Sequence, residues 1–410
     1  MQKKEFVLNS LKYILVSGVS KGFNYLILLY FAIGIYSEQY VAILLLLSFE
    51  QLLSLLLPLN NSSIIYSKNI LNYNLITNKL ISSSLLMVVI YVVLFLFFKN
   101  NFYRYFDIDN SIIFFSIFSS MLMNAYLVYL TGYYKLIEEH GKALLIQFLF
   151  LISFISIVLF VLFLDNKILA FFLGKATGLL LILLLVKILR LDLTKFTFNT
   201  LSLNEYKKIL NLFSVSILGW VSGLGFLNLA KVFAAPENLA TIGYILNLWN
   251  IFLLISTGIN AVYYPLIKRF ILQKELNKAK KAKRKALFIY LGISLLCFVM
   301  YLIIESTSIL YPYPKINTVF SVIPYTILIF LLSIFYYVML PFYLTNDKFG
   351  IFNIINLVSL SLWGVLIIVS TYVGFENYIW FLVLLYFLKS MLLYFYAETK
   401  LMANKQNDQF

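Results

Sequence analysis

Among the charged residues inside the long hydrophobic stretches of this sequence, five could do chemistry: Lys21, Lys175, Lys231, Lys389 and Glu50. An ionisable side chain at membrane depth costs about 2.5–3.5 kcal/mol on insertion scales, so such residues usually mark a pathway or a binding cavity. An ammonium group offers a positive charge and three donors to phosphate oxygens, whereas a carboxylate can take up a proton. These residue types therefore indicate binding and movement of an anionic group through a membrane.

Lys21 lies near the middle of the first hydrophobic stretch, Leu11–Ile35. At about 100° per residue it shares one helix face with several polar residues, Asn24 among them. Lys21 and Asn24 are therefore candidate substrate-binding residues, and Lys21 would contact an anionic headgroup. The alternative for Lys21 is an internal ion pair with Glu50.

Glu50 lies in the second stretch, on a polar stripe of its own with Ser54 and Asn61. It is either the partner of Lys21 or a protonatable group that couples transport to an ion gradient. The sequence leaves both interpretations open.

The other candidates lie further along the chain. Lys389 stands on a half-polar face of the last stretch, where it either lines a cavity or packs within the protein. Lys175 and Lys231 lie closer to the ends of their stretches, which favours side chains that extend to the outer membrane surface, but both stay candidates for substrate binding. Asn247 and Asn250 share one polar stripe that binds substrate or, as is more common, a neighbouring helix.

Several kinds of chemistry are excluded by what the sequence lacks. A single cysteine, Cys297, and a single histidine, His140, exclude an internal disulfide and a histidine-rich metal cluster. Gly174 and Lys175 do not form a phosphate loop, because the glycine required five residues earlier is missing. We expect no catalytic residue, no metal and no cofactor.

The hydrophobic stretches predict the elements that position these residues. With 62% hydrophobic and 12% charged residues, the chain has the composition of a polytopic membrane protein. A transmembrane helix needs roughly 20 apolar residues to cross a ~30 Å hydrocarbon core. Twelve such spans are predicted, with approximate limits 11–35, 40–66, 80–98, 111–133, 143–164, 168–189, 209–234, 241–264, 287–310, 319–344, 350–373 and 377–397.

Basic residues set the predicted topology. The N-terminal side of the membrane carries 24 Lys/Arg and the opposite side 4, so both termini are predicted to be cytoplasmic. The predicted domains are a six-helix lobe over 1–190, a cytoplasmic linker over 191–208 and a second six-helix lobe over 209–410. Segment 265–286 holds nine basic residues against Glu275 alone. The net charge of +15 therefore indicates anionic membrane lipid as a partner, and not nucleic acid.

Three stretches carry a resemblance to a known family. They are the SEQY turn at Ser37–Tyr40, the GYYKLIEEHGK connection at Gly132–Lys142, and Glu237–Phe270, in which Gly243 opens a helix and Pro265 closes it. In these stretches the chain resembles the lipid-linked oligosaccharide flippases, the O-antigen and capsular polysaccharide exporters of the multidrug/oligosaccharidyl-lipid/polysaccharide (MOP) superfamily. The resemblance implies two six-helix lobes around a cationic central cavity, which moves an undecaprenyl-pyrophosphate-linked oligosaccharide by alternating access.

The resemblance also implies residence in a bacterial cytoplasmic (inner) membrane and polysaccharide assembly proteins as partners. Two other classes of function stay open. A cation-coupled drug exporter of the same superfamily is expected to carry carboxylates rather than lysines in its cavity. A membrane polysaccharide polymerase or glycosyltransferase is expected to have a large outer loop or a soluble segment with paired carboxylates, and because the sequence shows neither, a transporter is predicted rather than an enzyme.

Overall fold

The computed structural model of the chain is helical throughout the part that it describes. It describes residues 12, 15–16, 23–34, 37–60, 73–137, 139–191, 198–202, 205, 217, 219–221, 223–231, 236–307, 314–346, 348–373 and 378–401. No strand occurs within these ranges. The predicted class, an all-α polytopic membrane protein, is confirmed.

The helices follow the predicted spans. In the described part of the chain, eight helices are long and apolar enough to cross a membrane, and Gln39–Leu55 and Gly350–Leu366 are shorter apolar segments. Parts of the first and seventh predicted spans lie outside the described residues. The helices are α1 (Phe23–Gly34), α2 (Ser37–Leu55), α3 (Tyr73–Phe97), α4 (Lys99–Phe106), α5 (Ser111–Leu136), α6 (His140–Phe163), α7 (Lys167–Ile188), α8 (Gly225–Ala230), α9 (Pro236–Leu272), α10 (Leu276–Ser306), α11 (Pro314–Ser321), α12 (Ile323–Thr345), α13 (Phe349–Val373) and α14 (Tyr378–Tyr396).

Asparagine side chains cap the N-terminal ends of two membrane helices. The Asn110 side chain accepts a hydrogen bond from the Ile112 amide at the start of α5, at 2.9 Å. The Asn166 side chain accepts one from the Leu169 amide at the start of α7, at 3.0 Å. Each bond satisfies a backbone donor that the first helical turn leaves without an intrahelical acceptor.

Helix α9 is longer than the sequence predicted. It begins at Pro236 and continues through Pro265 to Leu272, so the expectation that Gly243 opens this helix and Pro265 closes it is wrong. Prolines inside membrane helices are tolerated where the surrounding protein satisfies the freed backbone groups. Helix α12 likewise continues through Pro341.

The first compact unit comprises residues 15–28 and 36–220. Within it α7 packs against both α5 and α6, and α2 packs against α5. Aromatic rings fill the end of the unit where α3, α4 and α5 meet, and Phe95 stacks on Phe114 with ring centroids 4.7 Å apart. This packing fixes α2, α5 and α7 as one group of helices.

The second compact unit comprises residues 221–410 with 1–14 and 29–35. Helix α12 is its core and packs against α9, α10 and α14, with Phe330 and Tyr343 fully buried. Helix α10 instead turns apolar side chains outward, for Phe288 is 75% exposed and Leu295 64%. Such a surface suits contact with lipid chains, which are as apolar as the side chains themselves.

The predicted domain boundaries at 190 and 208 stay a prediction. Most residues between 192 and 218 lie outside the described ranges.

Candidate coupling and substrate-binding sites

Glu50 lies at the centre of a buried polar cluster in the first unit. Its carboxylate is 2.6 Å from the Lys175 ammonium through Oε2, and its Oε1 accepts a hydrogen bond from Ser120 Oγ at 2.8 Å. The Glu50 side chain is 6% exposed and that of Lys175 21%. The cluster joins α2, α5 and α7.

Close packing of two helices places Lys175 in this cluster. A Cβ atom at Gly174 would lie 2.7 Å from Ile157 Cα, and one at Gly178 would lie 2.5 Å from Ser153 Cα. Small residues spaced four apart allow two membrane helices to approach at backbone distance. With α7 held against α6 by its glycine face, Lys175 lies on another face of α7 and reaches Glu50 on α2.

The ion pair corrects the expectation for Lys175 and supplies a different partner for Glu50. Lys175 does not extend to the membrane surface, because its ammonium is bonded to the Glu50 carboxylate. Two opposite charges in a low-dielectric interior cost much less together than apart, since each replaces part of the other's lost hydration. Lys21, the partner that the sequence offered to Glu50, lies outside the described residues.

Ser120 is a member of the cluster that the sequence did not single out. It is fully buried on α5, where its hydroxyl is 2.8 Å from Glu50 Oε1 and 3.0 Å from the Ile117 carbonyl oxygen. Ser116 one turn earlier is also buried, so α5 carries a short polar face toward the protein interior. These two serines, four positions apart in an apolar helix, are the sequence feature from which the polar face of α5 could have been predicted.

Lys389 lies in an aromatic environment in the second unit. It is 4% exposed on α14, and its ammonium lies 4.5 Å from the centroid of the Tyr336 ring on α12. One turn before Lys389, the Tyr386 ring is 5.1 Å from that of Trp249 on α9. Cation–π attraction is strongest where the cation is withdrawn from water, as it is here.

A buried hydroxyl adjoins Lys389. Ser390 is fully buried, and its Oγ has no hydrogen-bond partner among the described residues. A buried polar atom without a partner costs roughly 1–3 kcal/mol, which a bound water or a ligand hydroxyl would recover. Lys389 thus places a cation beside an aromatic ring, and Ser390, the next residue of α14, carries a buried hydroxyl.

The remaining predicted substrate-binding residues lie on α1, α8 and α9 or next to them. Asn247 is fully buried on α9 and Asn250 is half-buried one turn later. Lys231 follows α8 directly and is half-buried, with its backbone N–H donating to the Leu227 carbonyl. Asn24 belongs to α1, but its side chain lies outside the described residues, and no finding tests these residues as ligands.

Residues of the predicted linker contact two neighbouring serines in the first half of α3. Ser82 Oγ accepts from the Asn199 amide at 3.1 Å and Ser83 Oγ from the Leu201 amide at 3.0 Å. Nearby, Lys79 and Glu205 form an ion pair at 2.8 Å. The segment near 200 is therefore fastened to α3.

The ion pair changes the titration of Glu205. The hydrogen bond from Lys79, and next the one from the Ser202 amide, lower the pKa of the Glu205 carboxyl from 4.5 to about 2. The carboxylate is favoured because both donors stabilise its charged form.

No metal site is found in the described part of the chain, where no three His, Cys, Asp or Glu side chains stand close enough to share an ion. His140 opens α6 and Cys297 lies on α10 with no disulfide partner.

Comparison with known proteins identifies the fold. No family model and no curated protein matches the sequence. Among solved structures, the eukaryotic MATE transporter AtDTX14 matches with a TM-score of 0.72 and 11% identity, covering 99% of this chain and 98% of that one. A MOP-superfamily transporter from Pyrococcus furiosus, described as having a binding pocket of reversed polarity that suggests a different function, matches with a TM-score of 0.69 and 14% identity over 98% and 96%. The chain has the fold of the MOP-superfamily transporters.

Proposed function

We propose that this chain, which has the fold of the MOP-superfamily transporters, moves an anionic lipid-linked oligosaccharide across a bilayer by alternating access. The observation that carries the proposal is Lys389, a cation buried in the second unit against the Tyr336 ring. A residue that costs this much to bury is usually retained for binding or transport.

The chemistry around Lys389 suits a phosphorylated sugar carrier. The ammonium attracts a phosphate more strongly in a low-dielectric site than it does in water. The aromatic rings nearby, those of Tyr336, Tyr386 and Trp249, are of the kind that sugar rings pack against, with apolar faces and polar edges. Ser390 adds a hydroxyl that can bond to a substrate oxygen.

The Glu50–Lys175 pair is proposed as the coupling element. Protonation of Glu50 would remove one charge of the pair and leave the Lys175 ammonium without its carboxylate, so the two protonation states favour different arrangements of α2 and α7. Outward movement of two negative charges gains about 4–5 kcal/mol at 100 mV, from roughly 2.3 kcal/mol per charge. The membrane potential would therefore drive export of a pyrophosphate headgroup, and protonation of Glu50 would reset the carrier.

A cation-coupled drug exporter is the second candidate. It is favoured by the MATE transporters among the structural neighbours and by the buried Glu50 carboxylate. The two candidates differ in the charge of the substrate: the first requires the Lys389 cation for binding, whereas a cationic drug would be repelled by it.

Transport by the purified protein in vesicles tests the proposal. Lys389→Ala is expected to lower transport of a fluorescent pyrophosphate-linked oligosaccharide at least tenfold, and Lys389→Arg to retain part of it because the charge is kept. The matched control is Lys348→Ala, an exposed lysine outside the membrane helices. A normally abundant Lys389→Ala protein with full activity would reject the role of Lys389, and active export of cationic dyes instead would favour the drug exporter.

We further propose that the chain resides in a bacterial cytoplasmic membrane with both termini in the cytoplasm, beside polysaccharide assembly proteins. The 24-to-4 distribution of basic residues supports this orientation. Alkaline phosphatase fused after Glu275 should be inactive, and activity there would reverse the topology.

A further inference from the structure

The connection between α9 and α10 borders an open groove of about 460 Å³. Helix α9 ends at Leu272 and α10 begins at Leu276. The chain reverses within this interval through Lys274, which adopts a left-handed conformation with φ 59°, and the Glu275 amide donates to the Phe270 carbonyl at 2.8 Å. The tight turn holds the ends of the two helices side by side.

The groove has an apolar floor and a basic rim. Leu266, Phe270 and Ala282 form the floor, while Arg269, Lys281 and Lys285 are exposed at the rim. We call this feature the basic groove. Its members recur at helical spacing on both walls, so the groove is produced by one face of each helix.

The charge of the basic groove is strongly positive. Its only carboxylate in the described structure is that of Glu275, which is 2.6 Å from the Lys278 ammonium. Arg269, Lys281 and Lys285 add three positive charges. The groove is therefore complementary to an anion, and its volume lies within the roughly 300–1,000 Å³ typical of ligand pockets.

The sequence of α10 places the groove at a membrane boundary. From Ala286 onward α10 is apolar as far as Glu305 and exposes Phe288, Leu291 and Leu295. Lys285 and Glu305 are about 30 Å apart along a helix that rises about 1.5 Å per residue, which equals the thickness of the hydrocarbon core. Lys285 therefore lies at the level of lipid phosphates.

We propose that the basic groove is a binding site for the phosphodiester headgroup of an anionic phospholipid from the adjacent leaflet. The Arg269, Lys281 and Lys285 side chains bind the phosphate, and the floor of Leu266 and Phe270 receives the apolar glycerol region. A lipid is favoured over a soluble anion because Phe288, three residues beyond Lys285 in the apolar part of α10, is 75% exposed at the depth of the acyl chains. The proposal is independent of the transported substrate, since the groove lies at one end of the second unit and not at Lys389.

A pair of matched double variants tests the proposal. Lys281→Gln with Lys285→Gln removes two charges from the groove, whereas Lys280→Gln with Arg284→Gln removes two charges at the same spacing from residues that do not line it. The full-length protein in a neutral detergent is titrated with phosphatidylglycerol, phosphatidylcholine or inorganic phosphate. Binding is read from the thermal unfolding temperature and from retained lipid in native mass spectrometry.

Saturable stabilisation by phosphatidylglycerol, but not by phosphatidylcholine, is expected in the wild type and in the control variant. In the groove variant the half-saturating concentration should rise at least tenfold. Arg269→Gln, on the wall that α9 forms, should also raise the half-saturating concentration. Equal losses in both double variants would overturn the proposal in favour of diffuse attraction, and an equal response to inorganic phosphate would overturn the assignment to a lipid.

Discussion

A double-mutant cycle on Glu50 and Lys175 examines the buried pair most directly. The two charges are 2.6 Å apart with side chains 6% and 21% exposed, so little water remains to stabilise either of them alone. Removal of one partner from such a pair typically costs about 3–5 kcal/mol, whereas replacement of both by neutral residues is nearly neutral. Lys175→Met and Glu50→Gln should each destabilise the protein, and the double variant should recover most of the loss.

The expected coupling energy is about 4 kcal/mol or more, because the two single losses add up while the double variant is nearly neutral. Lys175→Met should cost the most, because the Glu50 carboxylate would keep only the hydrogen bond from Ser120. Glu50→Gln should cost less, about 1–3 kcal/mol, since Lys175 is the more exposed partner. Reversible unfolding of the purified protein in mixed micelles measures all four proteins of the cycle.

An exposed pair with the same geometry is the control. Lys142 and Glu139 also lie 2.6 Å apart, but their side chains are 49% and 43% exposed. Water screens both charges of an exposed pair, so the corresponding cycle should show a much smaller coupling energy than the buried pair. Additive effects at Glu50 and Lys175, or equal coupling in the two pairs, would refute the argument from burial.

The same variants distinguish a structural role of the Glu50–Lys175 pair from a role in proton coupling. If Glu50 carries the coupling proton, the stable double variant should transport substrate without responding to the proton gradient. A double variant that responds normally would leave the pair with a structural role only.

Three further predictions follow from other contacts. Gly178→Ala should destabilise the protein by about 1–3 kcal/mol through overpacking against Ser153, whereas Gly292→Ala, whose Cβ would meet nothing within 4 Å, should be neutral or slightly stabilising in the same unfolding assay. Lys389→Met should lower the affinity for a pyrophosphate-linked substrate, measured by calorimetry, more than it lowers the unfolding temperature; the reverse ranking would contradict a binding role. Because the pKa of Glu205 is lowered to about 2, its stabilisation should be complete above pH 4.5 and decline as pH falls toward 2, so the difference in unfolding temperature between wild type and Glu205→Gln should shrink over that range.

The number and limits of most membrane helices were contained in the sequence. Runs such as 111–133 and 168–189 are long enough to span a bilayer, and the ends of the observed helices α5 and α7 differ from these limits by only a few residues. Membrane helices satisfy their backbone groups internally, so local composition is sufficient to define them. The expectation that Pro265 closes α9 was wrong because it used local sequence alone. A proline ends an isolated helix, but inside a protein the neighbouring helices can satisfy the backbone groups that it leaves without partners.

The sequence also identified locally which residues need partners. Glu50, Lys175 and Lys389 stood out because charges are costly at membrane depth. Their partners were not predictable, since Glu50 and Lys175 are separated by 125 positions and meet only in the folded chain, where α2 and α7 both pack on α5.

The sequence by itself therefore determined an all-helical membrane protein with buried charges, whereas tertiary packing decided which charges neutralise each other. Lys175 was expected at the surface and is bonded to Glu50, while Lys389 came to lie against Tyr336, 53 positions earlier in the chain. Hydrophobicity depends on each residue and its neighbours in sequence, but electrostatic partners depend on distances of a few ångströms between helices. Those distances are set by the shapes of the packed side chains, which no single stretch of sequence specifies.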